Sequence, residues 1–273
     1  MTPTEKIAFI GCGNMGRSMI GGLVAAGYPA ELIYGVEPVA AQRQAVAELG
    51  VRTLTEIDQS INDCAAIVLA VKPQAMSAAL QQLGGLPKHA APLLISIAAG
   101  VTVASISAGL KPDSAIVRVM PNTPALLQKG AAAMFGNKYV SSKQKQLADQ
   151  IMQSVGIVVW LDKEELLDVV TAISGSGPAY FFLFIELLEK IARESGLDAD
   201  SASTLTMQTA LGAAAMVAAG EHTPAALRQQ VTSPGGTTEQ ALKVLMDGRL
   251  EQVLQQAVKA AREQAVQLSG QVE

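Results

Sequence analysis

Ile7-Ala8-Phe9-Ile10-Gly11-Cys12-Gly13-Asn14-Met15-Gly16 is the stretch that decides how this chain folds. A short apolar run of strand length leads directly into glycines spaced G-x-G-x-x-G. An amphipathic helical pattern follows to about Ala26 and is stopped by Gly27. The first glycine permits a tight turn, the second lets a diphosphate approach the backbone, and the third lets helix and strand pack closely. A helix starting near Asn14 aims its free N–H groups and the positive end of its dipole at the same place. Strand, glycine turn and helix together form the fingerprint of a dinucleotide site. An acidic residue is required about twenty positions on, at the end of the next strand, and Tyr34-Gly35-Val36-Glu37 supplies it. The Glu37 carboxylate would accept hydrogen bonds from an adenosine 2′-OH and repel a 2′-phosphate. NADH preference with NADPH tolerated is therefore the expectation; Arg43, six residues on, could face a 2′-phosphate but is read first as a solvated helix-face residue.

Outward from this unit, apolar runs of strand length recur at Leu32–Val36, Ala66–Val71, Leu93–Ile97, Ala115–Val119, Ala131–Phe135 and Ile157–Leu161. The runs at 66–71 and 93–97 do not alternate with polar residues, as suits parallel strands covered by helices on both faces. Past Leu161 the strand pattern ends, and helices are expected over about Lys163–Ile173, Pro178–Ser195, Ala199–Ala219, Pro224–Val231, Thr237–Met246 and Arg249–Leu268. The fold class is α/β: an N-terminal Rossmann-type doubly wound sheet over residues 1–162, then an all-α part over residues 163–273. Ala199–Ala219 is apolar nearly all round, which a surface helix should not be. It is buried either within its own bundle or by a second copy of the chain. About 110 residues make a small bundle to bury it alone, which favours the second copy.

Composition narrows the function classes. Of 273 residues, 49% are apolar and 16% charged, so this is not a disordered polar chain. Lys and Arg number 20 against 24 Asp and Glu, giving a net charge of −4, and no two basic residues are adjacent. A nucleic-acid groove or an anionic-lipid surface is not expected. The uncharged stretches 90–110 and 201–220 do not read as membrane spans: the first is broken by Pro92, Gly100 and Gly109, and the second is rich in Ala, Ser and Thr. Cys12 and Cys64 cannot build a disulfide framework, and no basic, apolar leader opens the chain, so a reduced cytoplasmic protein is expected. His89 and His222 both fall in Pro/Gly-rich connections without a ligand cluster, so no metal site and no catalytic His is expected.

Three more βα turns would border the cofactor if the sheet is doubly wound: Ala70-Val71-Lys72-Pro73, Ala98-Ala99-Gly100, and the loop from Arg118 to Pro124, whose two prolines aim Asn122 and Thr123. The Lys72 charge is assigned to the diphosphate rather than to catalysis. In the helical half, Ser176 reads as an N-cap with Pro178 in the first turn. Residues 231–238, Val-Thr-Ser-Pro-Gly-Gly-Thr-Thr, form a loop of small residues ending at a helix, with Thr237 and Gln240 spaced as a capping box. Successive N–H groups from Gly235 to Thr238 would cradle a carboxylate.

With IGCGNMG (10–16), LAVKPQ (69–74), SIAAGVT (96–102), RVMPNTP (118–124), ISGSGPAY (173–180) and VTSPGGTT (231–238) in order, the chain resembles the pyrroline-5-carboxylate reductases nearly end to end. The resemblance implies NAD(P)H-dependent reduction of the C=N bond of 1-pyrroline-5-carboxylate to L-proline, the last step of proline biosynthesis. It also implies a helical domain that interlocks with a partner subunit into a homodimer, with higher assembly of dimers in many members. Carried over by position, Ile10, Gly11, Cys12, Gly13, Asn14, Met15, Gly16, Glu37, Ala70, Val71, Lys72, Pro73, Ala98, Ala99 and Gly100 would hold the cofactor, with Asn122 near the nicotinamide. Glu164, Gly236, Thr237 and Thr238 would hold the substrate, Thr238 being the catalytic residue at the ring nitrogen. The chain departs from the family pattern at Gln230, where Asn is frequent, and at Glu37, where Ser or Arg is frequent. The competing readings are a related imine or β-hydroxyacid dehydrogenase and a non-catalytic NAD(P)-binding sensor, which leaves the loop at 231–238 unexplained.

Overall fold

The structure is a computed structural model, and it describes residues 5–86 and 91–270; the expectation for His89 lies outside them. The chain divides into two compact units, residues 1–176 with 261–273, and residues 177–260.

The first unit is built on one eight-stranded sheet in the order β3-β2-β1-β4-β5-β6-β7-β8. Its strands are β1 (Ile7–Ile10), β2 (Ile33–Val36), β3 (Arg52–Leu54), β4 (Ala66–Leu69), β5 (Leu93–Ser96), β6 (Ile116–Met120), β7 (Gly130–Gly136) and β8 (Gly156–Trp160). The first six run parallel; β7 is antiparallel to β6, and β8 is parallel to β7. The helices of this unit are α1 (Asn14–Ala25), α2 (Ala40–Ala47), α3 (Met76–Gly84), α4 (Val103–Ala108), α5 (Ser142–Gln153) and α6 (Leu166–Val170). Each central strand is buried on both faces, which is why its sequence shows no alternation. On one face Ile7, Phe9, Val68 and Ile95 pack with Met19, Ile20 and Leu23 of α1 and Ile151 and Met152 of α5. On the other Ala8, Ile10, Ile67 and Leu94 pack with Leu80 and Leu83 of α3 and Ile106 of α4. Fully burying each of the larger side chains contributes roughly 1.5–3 kcal/mol. The Rossmann-type doubly wound sheet followed by an all-α part is thus the observed architecture. One strand, β3, has no counterpart among the runs read from sequence. It is three residues long, only partly buried, and held by pairing with β2 and by Arg52, whose Nη1 donates to Tyr34 Oη at 2.9 Å.

In the second unit, α7 (Gly177–Glu194), α8 (Ala199–Ala218), α9 (Pro224–Gln230), α10 (Thr237–Asp247) and the start of α11 (Leu250–Gly270) follow the expected helices closely. The change from strand to helix near Asp162 precedes the end of the first compact unit, because α6 packs on the sheet and the end of α11 returns to it. Few side chains of the second unit are buried. Along α7 and α8, Phe181 is 71% exposed and Leu211 is 62% exposed. A single chain therefore does not bury α8 within its own bundle.

The expected start stands only in part: α7 begins at Gly177 with Pro178 in its first turn, but Ser176 is not an extended N-cap. α6 runs on through a π-helical turn at Thr171–Gly175, and Ser176 is itself in the helical region, its N–H donating to Thr171 O at 2.8 Å. Pro178 explains the widened turn: it has no N–H for the carbonyl of Ser174, and its ring crowds that carbonyl.

Candidate active site

The strand order reverses direction at β1, so a crevice opens at the carboxyl ends of β1 and β4, where ligands bind in open α/β sheets. The glycine loop fills its floor. Gly11 has φ +95°, and a Cβ there would lie 2.7 Å from the carbonyl oxygen of Ala70. A Cβ at Gly16 would run into the carbonyl oxygen of Gly11. Gly13 is different. It is the N-cap of α1 with an ordinary φ of −63°, supplies no capping side chain, and a Cβ there would meet nothing within 4 Å. The first turn of α1 also contains no acidic residue. An uncapped helix N-terminus with open space at its middle glycine is the cradle a dinucleotide diphosphate requires. The residues present therefore fit the cofactor.

Glu37 stands at the end of β2, only 5% exposed. Its Oε2 accepts from the Cys12 N–H at 2.8 Å and its Oε1 from the Val39 N–H at 2.9 Å, so the carboxylate ties the glycine loop to the end of β2. Arg43 is half-exposed on the helix face, and its Nη1 also donates to the carbonyls of Glu37 and Pro38 at 2.8 and 3.0 Å. Burial and the Glu37 carboxylate push the Cys12 thiol up to about 12, so it is no thiolate at neutral pH.

The turns after β4, β5 and β6 lie along the same edge of the sheet, since these strands are parallel. Lys72 is exposed, at the entrance to the short turn Pro73–Ala75. Ala98 and Gly100 are buried; Gly100 has φ +75°, and a Cβ there would lie 3.2 Å from Leu268 near the end of α11. Asn122 is spoken for on both sides of its amide. Its Oδ1 accepts from the Ala131 N–H at 2.9 Å, and its Nδ2 donates to Ser174 O at 3.2 Å and Ser174 Oγ at 3.3 Å. Asn122 thus supplies the donor that Pro178 denies the Ser174 carbonyl. The sequence reading missed this pairing.

It also missed the role of Arg118. This residue is 6% exposed on β6, with Nη1 2.9 Å from Glu164 Oε1 and Nη2 3.9 Å from Asp168 Oδ1. Glu164, expected at the substrate, gives the same Oε1 to the Val103 N–H at 2.8 Å. A lone arginine inside the apolar run Ile116-Val117-Arg118-Val119-Met120 was the available signal, since a buried charge needs a partner.

In the second unit, the loop before α10 differs from the capping box expected of Thr237 and Gln240. The N-cap is Gly236, with no side-chain cap, and Thr237 is already helical. Glu239 reaches back instead, its Oε2 accepting from the Gly235 N–H at 2.8 Å, while the Gly236 N–H donates to Ser233 O at 3.0 Å. Two of the four N–H groups expected to cradle an anion are therefore occupied, and those of Thr237 and Thr238 remain, beside the Thr238 hydroxyl. His222 is exposed between α8 and α9. Among the described residues there is no His, Cys, Asp and Glu grouping that would hold a metal ion.

Comparison with known proteins agrees with this layout. Residues 164–268 match the family model described as pyrroline-5-carboxylate reductase dimerisation, and residues 6–100 match the model described as NADP oxidoreductase, coenzyme F420-dependent. The chain is 46% identical over 270 residues to a pyrroline-5-carboxylate reductase of Pseudomonas aeruginosa, covering 98% of each. A solved reductase of the same name from Coxiella burnetii has a TM-score of 0.94 and 41% identity, covering 98% of this chain and 99% of that one. The Plasmodium falciparum enzyme, solved with NADP bound, has a TM-score of 0.85 and 30% identity, covering 98% of this chain and 100% of that one. By full-length likeness that takes in both the glycine loop and the loop at 231–238, the chain belongs to the pyrroline-5-carboxylate reductase family.

Proposed function

We infer that the chain reduces 1-pyrroline-5-carboxylate to L-proline with NAD(P)H, the last step of proline biosynthesis. The observation that carries this reading is the 46% identity to the Pseudomonas aeruginosa reductase across 98% of both chains. When bound, the reduced nicotinamide supplies the hydride. The chain's own residues bind, orient and protonate. The open N-terminus of α1 at Gly13 holds the diphosphate, with Gly11 and Gly16 keeping the turn tight; Ala70–Pro73, Ala98–Gly100 and Asn122 border the rest of the cofactor. The N–H groups of Thr237 and Thr238 hold the substrate carboxylate at the positive end of α10. An imine nitrogen is basic enough to be protonated, and the iminium form takes hydride far more readily than the neutral one. No buried His or Lys acid is then needed: the Thr238 hydroxyl hydrogen-bonds the nitrogen and relays a proton from water. Residues 177–260, inside the span that matches the dimerisation model, act as the dimerisation and substrate-binding part, in a cytoplasmic enzyme whose Cys12 and Cys64 stay reduced.

Turnover is tested by following NAD(P)H oxidation by the purified chain with and without the imine. Imine-dependent oxidation with proline as product is expected. Cofactor binding without turnover would make the protein a sensor and end this reading.

Glu37 carries the cofactor choice. Its buried carboxylate would face a 2′-phosphate as a like charge, which disfavours NADPH. Replacing it by serine weakens the tie to Cys12 for both cofactors, so the ratio is the readout. Glu37→Ser is expected to shift kcat/KM toward NADPH over NADH by about tenfold. A wild-type preference for NADPH of that size, or an unmoved ratio in the variant, would refute the assignment.

The exposed apolar side chains of α7 and α8 are assigned to a second copy of the chain. The helix over 166–194 is long and apolar enough, by length and composition, to cross a membrane. The same residues lie within the dimerisation match, however, and Glu186, Glu189, Lys190, Arg193 and Glu194 charge its last turns. Sedimentation at the mass of two chains is expected for the wild type. Leu211→Arg, placing a charge on an exposed apolar position, should shift the protein toward monomer; an unchanged dimer would remove α8 from the interface.

A further inference from the structure

We propose that buried Arg118 and the part-buried Glu164 and Asp168 form a positioning cluster that fixes the two cofactor-side turns after β5 and β6, and that Glu164 acts through this cluster rather than by touching the substrate. The proposal rests on reading the sheet unit as the cofactor-binding part. Arg118 follows Ile116 and Val117 in a strand otherwise made of apolar residues, and it pairs in register with Ser96 at the end of β5. Its guanidinium has two carboxylate partners on one short element, Glu164 just before α6 and Asp168 within it. The Glu164 oxygen that meets Arg118 also accepts the first N–H of α4, at Val103, which closes the turn containing Ala98, Ala99 and Gly100. Three residues past Arg118 the chain enters Pro121 and Asn122, the other turn. Asp168 Oδ1 lies 3.5 Å from Ser269 Oγ in the last turn of α11, whose neighbour Leu268 packs on Gly100.

One guanidinium thus fastens both turns to a common anchor. A guanidinium offers a rigid fork that two carboxylates can share, which a lysine ammonium cannot reproduce. Withdrawing Glu164 leaves the α4 N–H without its acceptor and Arg118 with only the longer contact to Asp168, so both turns lose their common reference. A small displacement of positioning groups costs binding and rate without touching the chemistry.

The test compares Glu164→Ala with Glu164→Gln, which keeps an oxygen for Val103 and Arg118. In the cofactor-free protein, amide exchange over residues 98–106 is expected to accelerate in the alanine variant and stay near wild type in the glutamine variant. The Kd for NADPH, from fluorescence titration, should rise by about tenfold or more with alanine and recover to within about threefold with glutamine. The KM for the imine at saturating cofactor should change less than threefold in both. Should the alanine variant fail to fold, Arg118→Lys replaces it, with a Kd for NADPH raised by about threefold or more. Wild-type Kd and exchange in the variants would overturn the proposal, and so would a raised imine KM at unchanged Kd, which would return Glu164 to the substrate. Absence of imine-dependent turnover in the wild type would instead defeat the proposed reaction, leaving the exchange and binding readouts to judge the cluster.

Discussion

Gly13→Val is expected to weaken NAD(P)H binding by on the order of a hundredfold while the protein stays folded. The reason is local. Gly13 has a φ any residue adopts, and a Cβ there meets no protein atom within 4 Å, so the valine side chain starts in open space at the helix N-terminus, where the diphosphate is proposed to lie. The structural penalty is confined to a poorer N-cap, about 1 kcal/mol, or a few degrees in Tm. Gly16→Ala should behave in the opposite way: its Cβ runs into the carbonyl oxygen of Gly11, so α1 must lift from β1 and stability falls first. Fluorescence titration with NADPH and a thermal melt on both variants separate the two. A Gly13→Val protein that binds the cofactor within threefold of wild type would show that the diphosphate does not lie on this loop.

Thr238→Ala is expected to lower kcat/KM for the imine by roughly a hundredfold, the usual size of one acid–base or orienting hydrogen bond. Thr238 is half-buried in the first turn of α10, so the substitution removes its hydroxyl and γ-methyl without opening an enclosed cavity. The helix N–H groups proposed to hold the carboxylate remain, because Gly236 is still the N-cap and Glu239 still engages Gly235. The Kd for NADPH and the melting temperature should therefore be unchanged. Activity within threefold of wild type would take Thr238 out of the reaction.

The glycine turn proposed to hold the cofactor was readable because its demands are local. A diphosphate loop needs glycines at fixed spacing before a helix, and Gly11, Gly13 and Gly16 stand where each performs a different steric task. Glu37 was found by distance along the chain, but its bonds to Cys12 and Val39 were not, since they depend on how β2 ends beside the loop. The bonds of Arg43 were hidden for the same reason: a helix-face pattern does not say that two carbonyls lie within its reach. At the loop before α10 the spacing suggested a threonine cap, whereas glycine took the cap position and Glu239 the reciprocal bond, which leaves the anion cradle narrower than expected.

From the sequence alone came the alternation of strand and helix, the glycine fingerprint, the change to an all-helical second half and the family resemblance. These follow from hydrophobic periodicity and backbone sterics, which act between near neighbours in the chain. The tertiary structure decided the rest: the short edge strand β3, the π turn at Thr171–Gly175 with Asn122 answering Ser174, the exposure of α8, and the pairing of Arg118 with Glu164. Each of these is set by what stands opposite a residue rather than beside it, and a buried charge or an orphaned carbonyl chooses its partner only when the fold brings one within hydrogen-bond distance.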